Sequence, residues 1–375
     1  MSVLADVLDA MTVEGELYRR REDGAVECFA CGHRCLIRPG RRGICKVRFN
    51  EGGVLRVPWG YVGALQCDPT EKKPFFHLLP GSDTLTFGML GCDFHCPYCQ
   101  NWVTSQALRD PASEAAGAAP RRVTPADLVA GGVAMGAQVI ASSYNEPLIT
   151  SEWSRAIFEE ARRAGLICAY VSNGNATPEV LEYLRPWVRA YKVDLKTMRD
   201  AAYRRLGGVL DHVLETIRMA HAAGFWVEVV TLIVPGFNDS TEELMDAARF
   251  LVSVSPDIPW HVTAFHKDYK MPDPDNTTAS ALIRAAEIGQ EAGLRYVYAG
   301  NLPGQVGSYE DTTCPACGTV LVQRLGYVIL GYHLTASGTC PRCGTSIPGT
   351  WTSDPGHVRL GAEADLFVRV PRRVR

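Results

Sequence analysis

The stretch Gly91-Cys92-Asp93-Phe94-His95-Cys96-Pro97-Tyr98-Cys99-Gln100-Asn101-Trp102 constrains this chain more than any other. Its cysteines are spaced C-x3-C-x2-C, just after an apolar run at 84–87 and the glycines Gly88 and Gly91, which let the backbone turn. Three thiolates on one short loop can hold three irons of a cubane [4Fe–4S] cluster, whose full protein set would be four cysteines. The fourth iron is then open to chemistry. A zinc loop is the alternative reading, but structural zinc takes four protein ligands.

The chain has thirteen cysteines, and their placement says more than their number. Cys28, Cys31, Cys35 and Cys45 form one group, Cys92, Cys96 and Cys99 a second, and Cys314, Cys317, Cys340 and Cys343 a third. Only Cys67 and Cys168 are left over. No stretch approaches the length of a membrane span, and the acidic N-terminus lacks the pattern of a signal peptide. A cytoplasmic location is therefore expected, where thiols stay reduced and clustered cysteines mean metal. A net charge of −3 gives no reason to expect nucleic acid or an anionic membrane as partner.

The apolar spacing of Leu4, Val7, Leu8 and Met11 predicts a short helix. The first cysteine group, with His33 among it, suits a closed zinc site or a second Fe–S cluster. The stretch at 67–80 combines charges, aromatics and three prolines, so it reads as an ordered loop. From 84 to about 300, apolar runs at 84–87, 138–143, 167–172, 190–195, 226–234 and 260–265 alternate with helical patterns. Thr124-Pro125 and Thr177-Pro178 read as N-caps followed by proline. Ser240 and Glu243 read as a capping box.

Alternating strands and helices predict an α/β fold with a parallel sheet: a partial (β/α)6 barrel over 81–305. It is flanked by an N-terminal Cys-rich metal-binding region at 1–80 and a zinc ribbon at 306–375. The ribbon rests on two C-P-x-C-G knuckles, Cys314 to Gly318 and Cys340 to Gly344. Functional groups of such a barrel gather at the C-terminal strand ends. Tyr144-Asn145-Glu146-Pro147, Asn173, Asp194, Lys196 and His266 all fall at those positions.

These motifs resemble the radical S-adenosylmethionine (SAM) superfamily, and within it the AmmeMemoRadiSam type, related to pyruvate formate-lyase activating enzymes. Besides the C-x3-C-x2-C loop, the resemblance rests on Cys28-x2-Cys31-x-His33-x-Cys35, Gly43-x-Cys45-x-Val47-Arg48-x-Asn50, Asp68-Pro69-x-Glu71-Lys72-Lys73-Pro74, Cys99-Gln100-Asn101-Trp102 and Tyr144 to Pro147. It covers residues from about 25 to 330. It implies a [4Fe–4S] cluster on Cys92, Cys96 and Cys99, with SAM on the open iron. Reductive cleavage of SAM would then yield a 5′-deoxyadenosyl radical, the electron coming from a donor such as flavodoxin or ferredoxin. It further implies that Asn145 and Glu146 accept from the SAM ammonium, that Lys196 meets its carboxylate, that Asp194 and His266 hold ribose hydroxyls, and that Tyr98 borders the adenine. Asn173 belongs to the same rim.

The flanks, about 80 residues before the barrel and about 70 after it, favour a small-molecule substrate over a protein one. Cys67, beside Asp68-Pro69, stands as a candidate hydrogen-atom donor for epimerising a sugar or natural product. The alternatives are an activating enzyme that places a glycyl radical on a partner protein, and a metal-stabilised binding module without catalysis.

Overall fold

The computed structural model describes residues 3–362 and the backbone at 372–373. Seven parallel strands form its centre: β1 (Asp83–Gly88), β2 (Ala137–Ser142), β3 (Ile167–Ser172), β4 (Ala190–Asp194), β5 (Trp226–Ile233), β6 (Trp260–Ala264) and β7 (Val297–Gly300). They lie in chain order across one sheet. Between them run α1 (Pro125–Ala134), α2 (Ser151–Arg163), α3 (Pro178–Leu184), α4 (Leu210–Ala222), α5 (Thr241–Val254) and α6 (Ala279–Glu291). The six expected strand–helix units are present, and β7 adds a strand the sequence did not signal, because it is only four residues long. Both faces of a parallel sheet are covered, so its strands carry few exposed residues. All six residues of β1 are buried.

The helix starts follow the sequence signals. Thr124, Thr177 and Ser240 accept from the backbone N–H three residues on, at 3.1, 3.2 and 3.2 Å. The return half of the capping box does not form. Glu243 turns away from its own helix start, accepting from the Thr197 hydroxyl and from Met198 N at 2.8 Å. It thereby ties α5 to the loop after β4.

The sheet extends back across residue 80. Strand Ala64–Pro69 pairs antiparallel with β1, Gln66 opposite Thr86 and Asp68 opposite Thr84. The loop after it runs under the barrel, where Phe75 and Leu78 pack against Val139, Ala141, Ala169 and Ala190. Strands Thr312–Thr313, Val320–Leu325 and Val328–Tyr332 make a small antiparallel sheet. Its apolar side packs with Phe76 and with Tyr296 and Tyr298 of the barrel. Among the described residues, no helix is long and apolar enough to cross a membrane.

Candidate active site

The loop leaving β1 is shaped by two glycines. A side chain at Gly88 would come within 2.3 Å of the Ser143 carbonyl, and Gly91 has φ +100° with Val47 2.8 Å from where its Cβ would be. These close approaches turn the chain so that Cys92, Cys96 and Cys99 border one pocket. Phe94 N points at the Cys92 sulfur from 3.4 Å, and the Ser105 hydroxyl lies 3.2 Å from the Cys99 sulfur. Burial pushes all three thiols up, Cys96 to about 12. A metal binds the thiolate, so ligation here would release a proton from each of these thiols. The three sulfurs are not packed within single-ion distance of one another, and thiolates serving separate irons fit that arrangement.

Asn145, Glu146, Asn173, Asp194 and Lys196 border the same pocket. Glu146 is buried, accepting from Asn173 N at 2.6 Å, from the Ser172 hydroxyl at 2.8 Å and from Leu148 N at 3.1 Å. Burial, reinforced by Asp93, pushes its pKa up to about 8. Asn145 accepts from Met89 N at 3.0 Å. Asn173 donates to Asp93 at 2.7 Å and accepts from Asn175 N at 2.9 Å, so its side chain serves the cysteine loop. Burial works against the charge of Asp194, but Lys192 and Lys196 outweigh it and hold its pKa down at about 2. Lys196 sits 3.3 Å from Asp194.

This pocket opens into a cavity of about 370 Å³, with Cys96, Cys99, Tyr144, Asp194 and Lys196 on the shared wall. Tyr98 lines the larger space. Side chains two apart on a strand face the same way, so Lys192 joins Asp194, and His261 joins Thr263, on the cavity side. His261 Nε2 lies 2.6 Å from Glu228. Glu228 in turn accepts from Phe76 N and His77 N, each at 3.0 Å, fixing the loop beneath. From the N-terminal flank come Lys72, Lys73 and Pro74; from the C-terminal flank comes Tyr327, at the turn of the ribbon hairpin.

Two expected site residues lie elsewhere. His266 is exposed, its Nδ1 3.3 Å from the Lys267 carbonyl, because the chain leaves the sheet after Ala264 and carries it outward. Cys67 is buried in the main apolar core. Its neighbours Gln66 and Asp68 accept from the Tyr144 hydroxyl at 3.3 and 3.4 Å, so strand alternation sends Cys67 to the other face. Sequence reasoning missed Lys192, His261 and Tyr327. A lysine and a histidine within otherwise apolar strands were the available signal for the first two.

The C-terminal quartet has the compact spacing that a single metal ion requires. All four ligand sulfurs lie within 4.8 Å of one another, with Cys314 to Cys343 at 3.5 Å and Cys317 to Cys340 at 3.7 Å. The two knuckles repeat one hydrogen-bond pattern, Gly318 N to Cys314 O and Gly344 N to Cys340 O, both at 2.9 Å.

The sequence profile of the Radical SAM superfamily matches residues 87–251. An uncharacterized protein of Methanocaldococcus jannaschii is 36% identical over 313 residues, 83% of this chain and 91% of that one. The isethionate sulfite-lyase activating enzyme of Oleidesulfovibrio alaskensis is 27% identical over 128 residues, 32% of this chain and 41% of that enzyme. A domain of a pyruvate-formate lyase-activating enzyme from Bacteroides vulgatus superposes with a TM-score of 0.39 at 20% identity, over 44% of this chain and 99% of that domain.

Proposed function

This chain belongs to the radical SAM superfamily, and from that premise we propose that it abstracts a hydrogen atom from a small molecule held in the cavity beside the three-cysteine loop. Membership implies a [4Fe–4S] cluster and SAM. When bound, they supply an electron that breaks the sulfonium bond and a 5′-deoxyadenosyl radical that takes the hydrogen. A flavodoxin or ferredoxin would provide the electron.

In this reading the chain's own groups bind and orient. Cys92, Cys96 and Cys99 hold the cluster. Glu146 has acceptor capacity left for the SAM ammonium, Lys196 faces its carboxylate, and Asp194, held ionised by two lysines, accepts from the ribose. Tyr98 borders the adenine. Asn173 positions Asp93 beside Cys92. Asn145 spends its oxygen on Met89 N and orients the loop. The Cys314 quartet holds zinc as a structural ion, which its sulfur spacing supports.

The observation that carries the small-molecule reading is Tyr327. It lines the cavity together with Lys72 and Lys73, so both flanks contribute to the rim of the space next to the cluster loop. A small molecule in this space would meet both flanks at once. Epimerisation with Cys67 as donor loses its support, because that thiol faces the core. A glycyl-radical activating role is the second reading, favoured by the 128-residue similarity to an activating enzyme. The test is the substrate-dependent yield of 5′-deoxyadenosine from anaerobically purified protein with SAM and a reductant. Stimulation by a dialysable small-molecule fraction is expected; stimulation only by a protein fraction would favour the second reading.

A further inference from the structure

The three cysteine groups divide into two geometric kinds. Zinc–sulfur bonds of about 2.3 Å place tetrahedral sulfurs roughly 3.8 Å apart, and the Cys314 quartet has that spacing. It is the sole set of three or more His, Cys, Asp or Glu ligand atoms within 4.8 Å of one another among the described residues. The Cys92 trio, which belongs to a cubane by family membership, is wider. So is the N-terminal quartet.

The N-terminal quartet is nonetheless gathered. Strand Val26–Cys28 pairs with Leu36–Ile37, and Cys28 N donates to Cys35 O at 2.9 Å. The turn at 43–46 folds back over the site, and Ile44 N lies 3.5 Å from the Cys35 sulfur. Cys31 lies in the hairpin turn between Cys28 and Cys35, and a Cβ at Gly43, two residues before Cys45, would lie 3.6 Å from the Cys35 sulfur. The four thiols are thus gathered at one end of the hairpin, yet no three of them come within single-ion distance of one another.

This space adjoins the three-cysteine loop. Asp93, next to Cys92, lies 3.9 Å from His33 Nε2 and is held by Asn173 and Asn175. Gly32 N donates to Asn175 O at 2.7 Å.

We propose that Cys28, Cys31, Cys35 and Cys45 hold a second, fully ligated iron–sulfur cluster, separated from the first by Asp93. A cubane needs each thiolate at a different corner, which spaces the sulfurs more widely than one ion does. With four protein ligands it has no open iron, so it serves electron storage or relay rather than SAM binding.

The test is metal content of the full chain purified anaerobically, without added metal. The proposal expects about eight irons per zinc, against about two if the N-terminal site holds zinc. The Cys92→Ala/Cys96→Ala/Cys99→Ala variant should lose about half of the iron and keep an EPR signal after dithionite reduction. Loss of all iron there, with about two zinc ions per chain in the wild type, would overturn the proposal. If that variant does not fold, the wild-type ratio alone decides. Cys31→Ser should then lower iron without lowering zinc, and a loss of zinc instead would overturn it as well.

Discussion

Lys73 Nζ donates to Asp68 Oδ2 across 2.8 Å, with both side chains buried, and the same ammonium lies 3.2 Å from the Tyr144 hydroxyl. This contact binds the N-terminal loop to the cavity wall. Asp68 keeps Lys72 at 3.3 Å and the Tyr144 hydroxyl at 3.4 Å when Lys73 is lost, so the cost is that of one charged hydrogen bond, about 1.5–3 kcal/mol. Lys73→Met is therefore expected to destabilise by about 2 kcal/mol and to impair substrate-stimulated turnover. Adding Asp68→Leu should restore much of the stability but not the turnover. Thermal denaturation and 5′-deoxyadenosine assays check both.

Lys73 also predicts a pH dependence. Burial lowers its pKa from 10.5 to about 8, although Asp68 pulls the other way. Between those values the unfolded chain binds the proton that the native chain has lost, so stability from this group grows as pH rises. The contribution is present above about 10.5 and gone below about 8. The stability of wild type relative to Lys73→Met should increase from pH 8 to 10.5 in denaturant titrations. A difference that stays flat would contradict the assignment.

Arg324 fastens the ribbon to the loop beneath the barrel. It donates to Phe76 O at 2.9 Å and to the Thr312 hydroxyl at 2.7 Å, and it lies 4.3 Å over the Phe76 ring. Hydrogen bonds from charged groups contribute about 1.5–3 kcal/mol each. Arg324→Leu should lower the melting temperature and loosen Tyr327 at the cavity. More SAM would then be cleaved per product formed, which product-to-5′-deoxyadenosine ratios would show.

Cys67→Ala should leave turnover near wild type and cost about 1–2 kcal/mol, as a small cavity in a packed core does. A large loss of turnover at unchanged stability would restore its candidacy as hydrogen donor.

Much of this arrangement was legible in the sequence because it is written in local spacing. The cysteine triads and knuckles, the threonine and serine caps, and the polar residues ending β2 to β4 are all features a few residues long. What was not legible depends on parity and on distant contacts. Cys67 sits beside a site residue in sequence, yet alternation turns it to the opposite face. His266 follows β6, but the strand ends at Ala264 and the chain leaves the sheet before bringing it in. Tyr327 reaches the cavity only because the ribbon packs on Tyr296 and Tyr298, a contact between segments that no local pattern encodes. Glu243 carries a capping-box signature, yet a buried acceptor was needed at Met198, and the tertiary contact prevailed.

In the proposed reaction, a small molecule in the cavity receives the radical made at the three-cysteine loop. The most direct measurement is 5′-deoxyadenosine formation by wild type and Cys96→Ala, with SAM and reductant, in the presence of dialysable metabolites or of retained protein. The metabolite fraction is expected to stimulate wild type and not the variant. Stimulation by the protein fraction alone, with a glycyl radical appearing on a partner chain, would contradict it.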